Sequence, residues 1–354
     1  MFRPLLAGLL GAGLVFAPGF SESVAQEKKD PPKKKERIAI AEPKDAAKDP
    51  DFAVQGEYEG ELKGKEAGKV GVQVIANGLG EFTVKLLKDG LPGAGWDGKT
   101  SKKFVAVTQS KGVVILGSNK GAGKAEDEPI GSIADGKLEL NEGDHTIAAK
   151  KVDRKSKTLG EKPPEGAVVL WAAEGDEKNW TKGKLMELSD GKFLTVAKTG
   201  SITSKAKFGA FKAHIEFRLP WMPNSTGQGR GNSGVYIQDR YELQVLDSFG
   251  LNGENNECGG IYTQHKPLVN MCLPPLVWQT YDIEFTPAVF GADGKKTKNG
   301  HATIYHNGVK IHDNIEFPKE GPGGKPENAM PGPFQFQDHG DPVVYRNVWV
   351  VEAK

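Results

Sequence analysis

GQGRGNSGVYIQDRYELQVLDSFG, residues 227–250, decides how the C-terminal half of the chain is read. A Gly-rich loop feeds one strand, a tight turn follows, and a second strand carries Glu242, Gln244 and Asp247. Successive strand residues point to opposite faces, so Glu242 and Gln244 share one face of a sheet. Asp247 stands at an odd offset from them, and a regular strand turns it the other way. A β-bulge between Gln244 and Asp247 would bring all three together, and bulges gather beside active sites. Polar groups alternating along one sheet face line a groove of the kind that binds sugars, and carboxylates in such a groove are the usual chemistry of glycosidic bond cleavage.

Working outward, the flanking sequence repeats the strand pattern. FKAHIEFRLP (211–220), WQTYDIEFTPA (278–288), HATIYHNGVKIHDN (301–314) and VVYRNVWVVE (343–352) read as further strands. Asn307-Gly308 predicts a two-residue hairpin, because both central positions need positive φ. Long helical periodicity is missing. Residues 166–354 therefore read as a two-sheet jelly-roll sandwich in an all-β chain. Before it, VGVQVIA (70–76), FTVKLL (82–87), FVAVTQ (104–109), VVILGS (113–118) and HTIAAKKV (145–152) predict a small β-sandwich or barrel over residues 51–165. KPPEG (162–166) marks the boundary. This smaller domain offers no acid/base constellation: it reads as a binding or spacer module, with His145 structural.

The remaining bounds are set by composition and by the N-terminus. At 354 residues, 37% hydrophobic and 26% charged, the chain is globular and long enough for two domains. A net charge of +1 gives no electrostatic reason to expect a nucleic-acid partner. Residues 1–25 read as an export signal: Arg3, an apolar run from Leu5 to Ala17, and small Ser23-Val24-Ala25 before Gln26. The apolar run is shorter than the roughly 20 residues that span a bilayer, so the mature chain is expected without a span, in the periplasm or outside the cell. Residues 26–50 are Lys-, Pro- and Ala-rich and read as a flexible linker. The two cysteines, Cys258 and Cys272, fit either a short disulfide loop or two buried thiols.

A second constellation lies in FQFQDHGDPVVYRNVWV (334–350). Gln335 and Gln337 alternate with Phe334 and Phe336, giving one polar and one apolar face. Asp338 and His339 follow in a turn, where a His beside an Asp suits a general base, a general acid or a metal ligand. Arg346 suits holding a carboxylate or stabilising an oxyanion. Tyr262, His265 and Asn270 lie in or beside a Pro-bounded loop of the kind that builds a sugar subsite at a sandwich edge, whereas Trp278, beginning a strand, reads as core. His301, His306 and His312 surround the Asn-Gly hairpin and read as solvated.

The strand YELQVLD resembles the E-x-D-x-x-E strand of jelly-roll β-glucanases, with Gln244 in place of the middle Asp and Asp247 in place of the second Glu. More specifically, NWTKGK (179–184), FKAHIEFRLP, the opening stretch, PPLVWQTYDIEF (274–285), HNGV (306–309) and QDHGDPVVYRNVWV (337–350) resemble, in order, the 3-keto-disaccharide hydrolase domain family. The N-terminal β domain with its export signal resembles arrangements in planctomycete members. The resemblance implies a concanavalin-like, glucanase-like jelly roll that cleaves glycosides oxidised to a ketone at carbon 3.

On that basis His339 is the favoured base, oriented by Asp338 or Asp247, and Glu242 is an acid/base or a metal ligand. Arg346 and Gln337 stabilise the enolate or bind sugar hydroxyls. Asn232, Ser233, Tyr236, Gln244 and Tyr262 contact the sugar. A divalent cation held by Glu242, Asp247 or His339 is compatible with such chemistry. The competing readings are a non-catalytic, lectin-like carbohydrate-binding protein and an ordinary β-glucanase.

Overall fold

The computed structural model describes residues 36–110, 112–117 and 128–353. The expected export signal at residues 1–25 and the first part of the expected linker lie outside the described residues. Among the described residues no helix is long and apolar enough to cross a membrane.

The smaller domain is a closed barrel. Its eight strands are Gly56–Lys63, Gly68–Gly78, Glu81–Lys88, Ser101–Gln109, Gly112–Leu116, Pro129–Ala134, Lys137–Glu142 and His145–Val152. Each pairs antiparallel with the next, and the last closes on the first with Glu59 opposite Lys150 and Leu62 opposite Ile147. Period-two patterning drives the closure. In Glu81–Lys88, Phe82, Val84 and Leu86 turn inward and pack with Val72, Val74, Ile115, Leu138 and Leu140. Closing the sheet removes both exposed edges.

The stretch expected to be a flexible linker is structured from residue 36 onward. Glu42 caps a short helix, Pro43–Ala46, and Asp49 caps another, Pro50–Val54. In each case an acidic N-cap precedes a proline whose fixed φ and missing N–H suit the first helical position. Ile40 and Trp221 exchange backbone hydrogen bonds at 3.0 and 2.8 Å. Arg37 pairs with Asp341. Composition hid these anchors because each partner lies far away in sequence.

The C-terminal part is a two-sheet sandwich. The larger sheet runs Lys184–Leu188, Gly191–Thr195, Val344–Glu352, Phe211–Arg218, Trp278–Thr286, Gly300–His306 and Val309–Phe317, with Val168–Trp171 also pairing to Val344–Glu352. The smaller sheet runs Ile202–Thr203, Gln335–Phe336, Ser233–Ile237 and Tyr241–Val245. Between them pack Ile215, Phe217, Tyr281, Ile283 and Tyr345 from one side and Val235, Ile237, Leu243, Val245 and Phe336 from the other. Phe336 stacks on Tyr345 with ring centroids 4.1 Å apart. Full burial of one such side chain contributes roughly 2–3 kcal/mol.

The predicted hairpin turns at Asn307 and Gly308, with φ of 54° and 75°. Its histidines differ from the solvated reading, since His306 and His312 are buried. Alternation points His306 inward, and a register shift sets His312 opposite inward Ile304; Gln279 Oε1 lies 3.0 Å from His306 Nε2 and the Gly259 carbonyl 2.6 Å from His312 Nε2. Burial pushes the two imidazoles down to about 3 and about 4. Cys258 and Cys272 are two buried free thiols.

Barrel and sandwich trade anchors. Trp221, on the loop after Phe211–Arg218, is wholly buried in the barrel's core, against Phe52 and with its indole N–H on Asp49. Ile75 of the barrel packs into the sandwich core.

Candidate active site

The outward face of the smaller sheet gathers most of the polar residues singled out above. Tyr241, Leu243 and Val245 turn into the core, which leaves Glu242 and Gln244 on the other face. Register sets their neighbours: Tyr236 stands opposite Glu242, and Gly234 opposite Gln244. On the far side Gln335 pairs with Tyr236, and the Gln337 backbone N–H donates to the Gly234 carbonyl at 2.9 Å. The segments 227–250 and 334–350, distant in the chain, thus share one surface.

Gly234 sets how closely they approach. A Cβ at this position would lie 2.6 Å from Glu242 Oε1 and 3.0 Å from Gln337 Oε1, so the two side chains converge over a bare Cα. The Tyr236 hydroxyl lies 3.0 Å from Glu242 Oε2 and 2.8 Å from the Pro322 carbonyl, and it accepts from Gln337 Nε2 at 3.2 Å. A phenol has one proton to give, and a carbonyl can only accept. When Pro322 takes that proton, a protonated Glu242 keeps its own contact with Tyr236.

Gln337 Oε1 is buried and lacks a donor. It faces the same carboxyl, which favours a proton there too. Burial pushes Glu242 up to about 7, against the lowering effect of the Tyr236 hydrogen bond, and no second carboxylate among the described residues contributes. A buried carboxyl that holds its proton near neutral pH can act as a general acid.

Beyond Gly234 lies a row of amides. Gln228, on the short helical turn Gly227–Gly229, receives Gln244 Nε2 at 3.2 Å and Asn232 Nδ2 at 3.4 Å on its Oε1. The Asn232 backbone N–H donates to Asp341 Oδ2 at 2.8 Å, and burial raises that carboxyl. Tyr262 flanks the strand, its N–H on the Glu242 carbonyl at 3.0 Å. Gln228 and Gly234 are the site residues that sequence reasoning passed over. The available signal was the glycine itself, a side-chain-free position on the polar face of an otherwise regular strand.

Five expected site residues are placed elsewhere or differently engaged. Asp247 does not join Glu242: the strand ends at Val245 and no bulge re-aims it, and its carboxylate pairs with Arg230 Nε at 2.6 Å, both groups buried. Arg346 lies on the outer face of the larger sheet, because its neighbour Tyr345 fills the core. There it pairs with Glu216 at 2.6 Å, stacks over Trp278 at 4.1 Å, and borders a cavity of about 570 Å³ shared with Phe52 and Arg154. Ser233 points inward, donating to the Gln337 carbonyl at 2.6 Å beside the Tyr345 hydroxyl.

Asp338 caps a turn through the backbone N–H groups of Gly340 and Gly200, at 2.6 and 2.8 Å. His339 is exposed in the bend that follows Asp338. Glu242, Asp247 and His339 do not form a cluster that could share one cation. The one such cluster among the described residues is His214 and Asp282 on the larger sheet with Glu161 from the segment before it. Its imidazole is already engaged, by Asp282 at 2.6 Å and Glu216 at 3.4 Å.

Residues 166–351 match the model of the 3-keto-alpha-glucoside-1,2-lyase-like domain family, more than half of the chain. The chain belongs to that family. The match covers the sandwich and leaves out the barrel. A solved structure of a candidate glycosyl hydrolase from Parabacteroides distasonis is similar at 34% identity, over 54% of this chain and 85% of that one, with a TM-score of 0.47. A second candidate glycosyl hydrolase from the same organism is similar at 17% identity, over 54% and 95%, with a TM-score of 0.38. No curated protein matches the chain. Family membership makes the sandwich a carbohydrate-acting, hydrolase-like domain.

Proposed function

We propose that the family domain cleaves glycosides whose sugar carries a ketone at carbon 3, by elimination followed by hydration, in an exported protein. The observation that carries this reading is Glu242, a solitary buried carboxyl poised near neutrality on an amide-lined sheet face. The ketone acidifies the hydrogen on carbon 2. The base is assigned to His339, exposed in the bend two residues beyond Gln337: it takes that proton, and the electron pair first forms the enolate and then the carbon 1–carbon 2 double bond. The bond from carbon 1 to the leaving oxygen breaks, and Glu242 gives its proton to that oxygen.

Water then adds back. Its oxygen bonds to carbon 1 while its proton goes to the Glu242 carboxylate, and His339 returns its proton to carbon 2. Both groups end as they began, and the sum is hydrolysis. Gln337 Nε2, with a second hydrogen beyond the one it gives Tyr236, is the donor available to the carbon-3 oxygen as it gains negative charge. Gln244, Asn232 and Gln228 suit sugar hydroxyls.

A displacement of the β-glucanase kind calls for two carboxylates about 5–5.5 Å apart. Here Asp247 is committed to Arg230, and among the described residues no other carboxylate acts on Glu242. The test is to incubate the full chain with 3-keto-disaccharides and their unoxidised parents, with and without a chelator, beside Glu242→Gln and His339→Ala. Cleavage confined to the oxidised sugars, lost in both variants, is the expected result. Cleavage of only the unoxidised parents refutes the elimination, and binding without cleavage of either class makes the domain a lectin-like module. Loss of activity with the chelator would bring a divalent cation into the reaction.

A further inference from the structure

The barrel lies outside the family match, yet it holds both loops that leave one end of the strand pair bearing the site, the end where Ser233 stands opposite Val245. Lys85 sits on the barrel strand Glu81–Lys88, turned away from the barrel's interior, and is only 1% exposed because the loop after Tyr241–Val245 covers it. Its ammonium donates to the carbonyls of Gly250 and Leu251, both at 3.2 Å, and lies 5.1 Å from the Trp96 ring centre. Gly250 has φ of 75°, and a Cβ there would come 2.4 Å from Ile75 of the barrel. That loop is pressed against the barrel wall.

Beside it, Arg230 joins three parts of the molecule. Its Nε meets Asp247 at 2.6 Å, its NH1 donates to the Ala76 carbonyl at 3.1 Å, and its NH2 reaches Gln55 Oε1 at 3.5 Å. Arg230 lies just before Asn232 and just after Gln228, and Asp247 just after Val245. The amide row Gln228–Asn232–Gln244 is therefore held at the end gripped by the barrel.

We propose that the barrel braces the candidate active site: Lys85 and the Arg230–Asp247 pair are positioning residues that fix the amide row and so set substrate affinity without touching substrate. For substrate affinity, this rests on the functional reading above. For loop order it does not.

Lys85→Met in the full chain keeps an apolar stem and removes the ammonium. Two measurements test it: backbone hydrogen exchange across residues 226–232 and 247–251, and kcat and KM on a 3-keto-disaccharide. The brace predicts exchange faster by about tenfold in those two segments, with the barrel strands still protected. It also predicts KM higher by about fivefold with kcat nearly unchanged, and recovery of both in Lys85→Arg. Unchanged exchange in the two segments overturns it, as does an equal rise throughout the barrel or a fall in kcat at constant KM. If the wild-type chain turns over no oxidised sugar, the functional reading fails, and the exchange data alone decide the brace. Should Lys85→Met fail to fold, Lys85→Gln carries the same test.

Discussion

At the scale of single residues, Gly234 and Glu242 make the sharpest predictions. Gly234→Ala puts a methyl group 2.6 Å from Glu242 Oε1, so the carboxyl has to move. The fold should survive, circular dichroism should be unchanged, and turnover of a 3-keto-disaccharide should fall by about a hundredfold. The Glu242 carboxyl titrates near 7 when folded and near 4.5 in an ordinary setting. Across that window the folded chain keeps a proton that the unfolded chain has lost, so stability declines as pH rises from 4.5 to 7. Glu242→Gln removes this decline. Denaturant titrations should find the variant more stable than wild type at pH 8, by roughly 2–4 kcal/mol, with the gap closing toward pH 4. The alternation that put Glu242 and Gln244 on one face was legible in the sequence because it is local. The fate of Asp247 was not: its partner Arg230 stands in the same quoted stretch, but only the folded hairpin brings them together.

Among the elements, the hairpin at Asn307-Gly308 and the alternating strands could be read directly, since turn chemistry and period two act over a few residues. The short capped helices at Pro43–Ala46 and Pro50–Val54 were hidden under a composition that looks like a tether. The inward histidines were missed because polarity suggested solvent, whereas the sheet offered partners. His214 on Phe211–Arg218 shows how such a group can report on its surroundings. Burial works against its charged form, but hydrogen bonds to Asp282 and Glu216 outweigh that and push the ring up to about 9. The stabilisation it brings is complete below the ordinary value of 6.5 and is lost as pH rises through 9. In urea titrations His214→Gln should be less stable than wild type at pH 6, and the difference should shrink by pH 10. A difference that stays constant with pH would mean that the ring is neutral and merely packed.

For the molecule as a whole, the exchange of anchors implies that barrel and sandwich melt together. Calorimetry should find one transition, and Trp221→Ala, which empties a socket in the barrel's core, should cost about 3–5 kcal/mol. Two separate transitions in the wild-type chain would contradict the shared core. The traded pair also bears on ancestry. Along the chain, a recombination event could join or part the two domains near residue 166 without cutting a strand. In space, the same cut would leave Trp221 bare on one fragment and Ile75 bare on the other. Moving this barrel as a cassette would therefore expose two apolar side chains. A relative with a different N-terminal neighbour is expected to carry some other residue where this chain has Trp221.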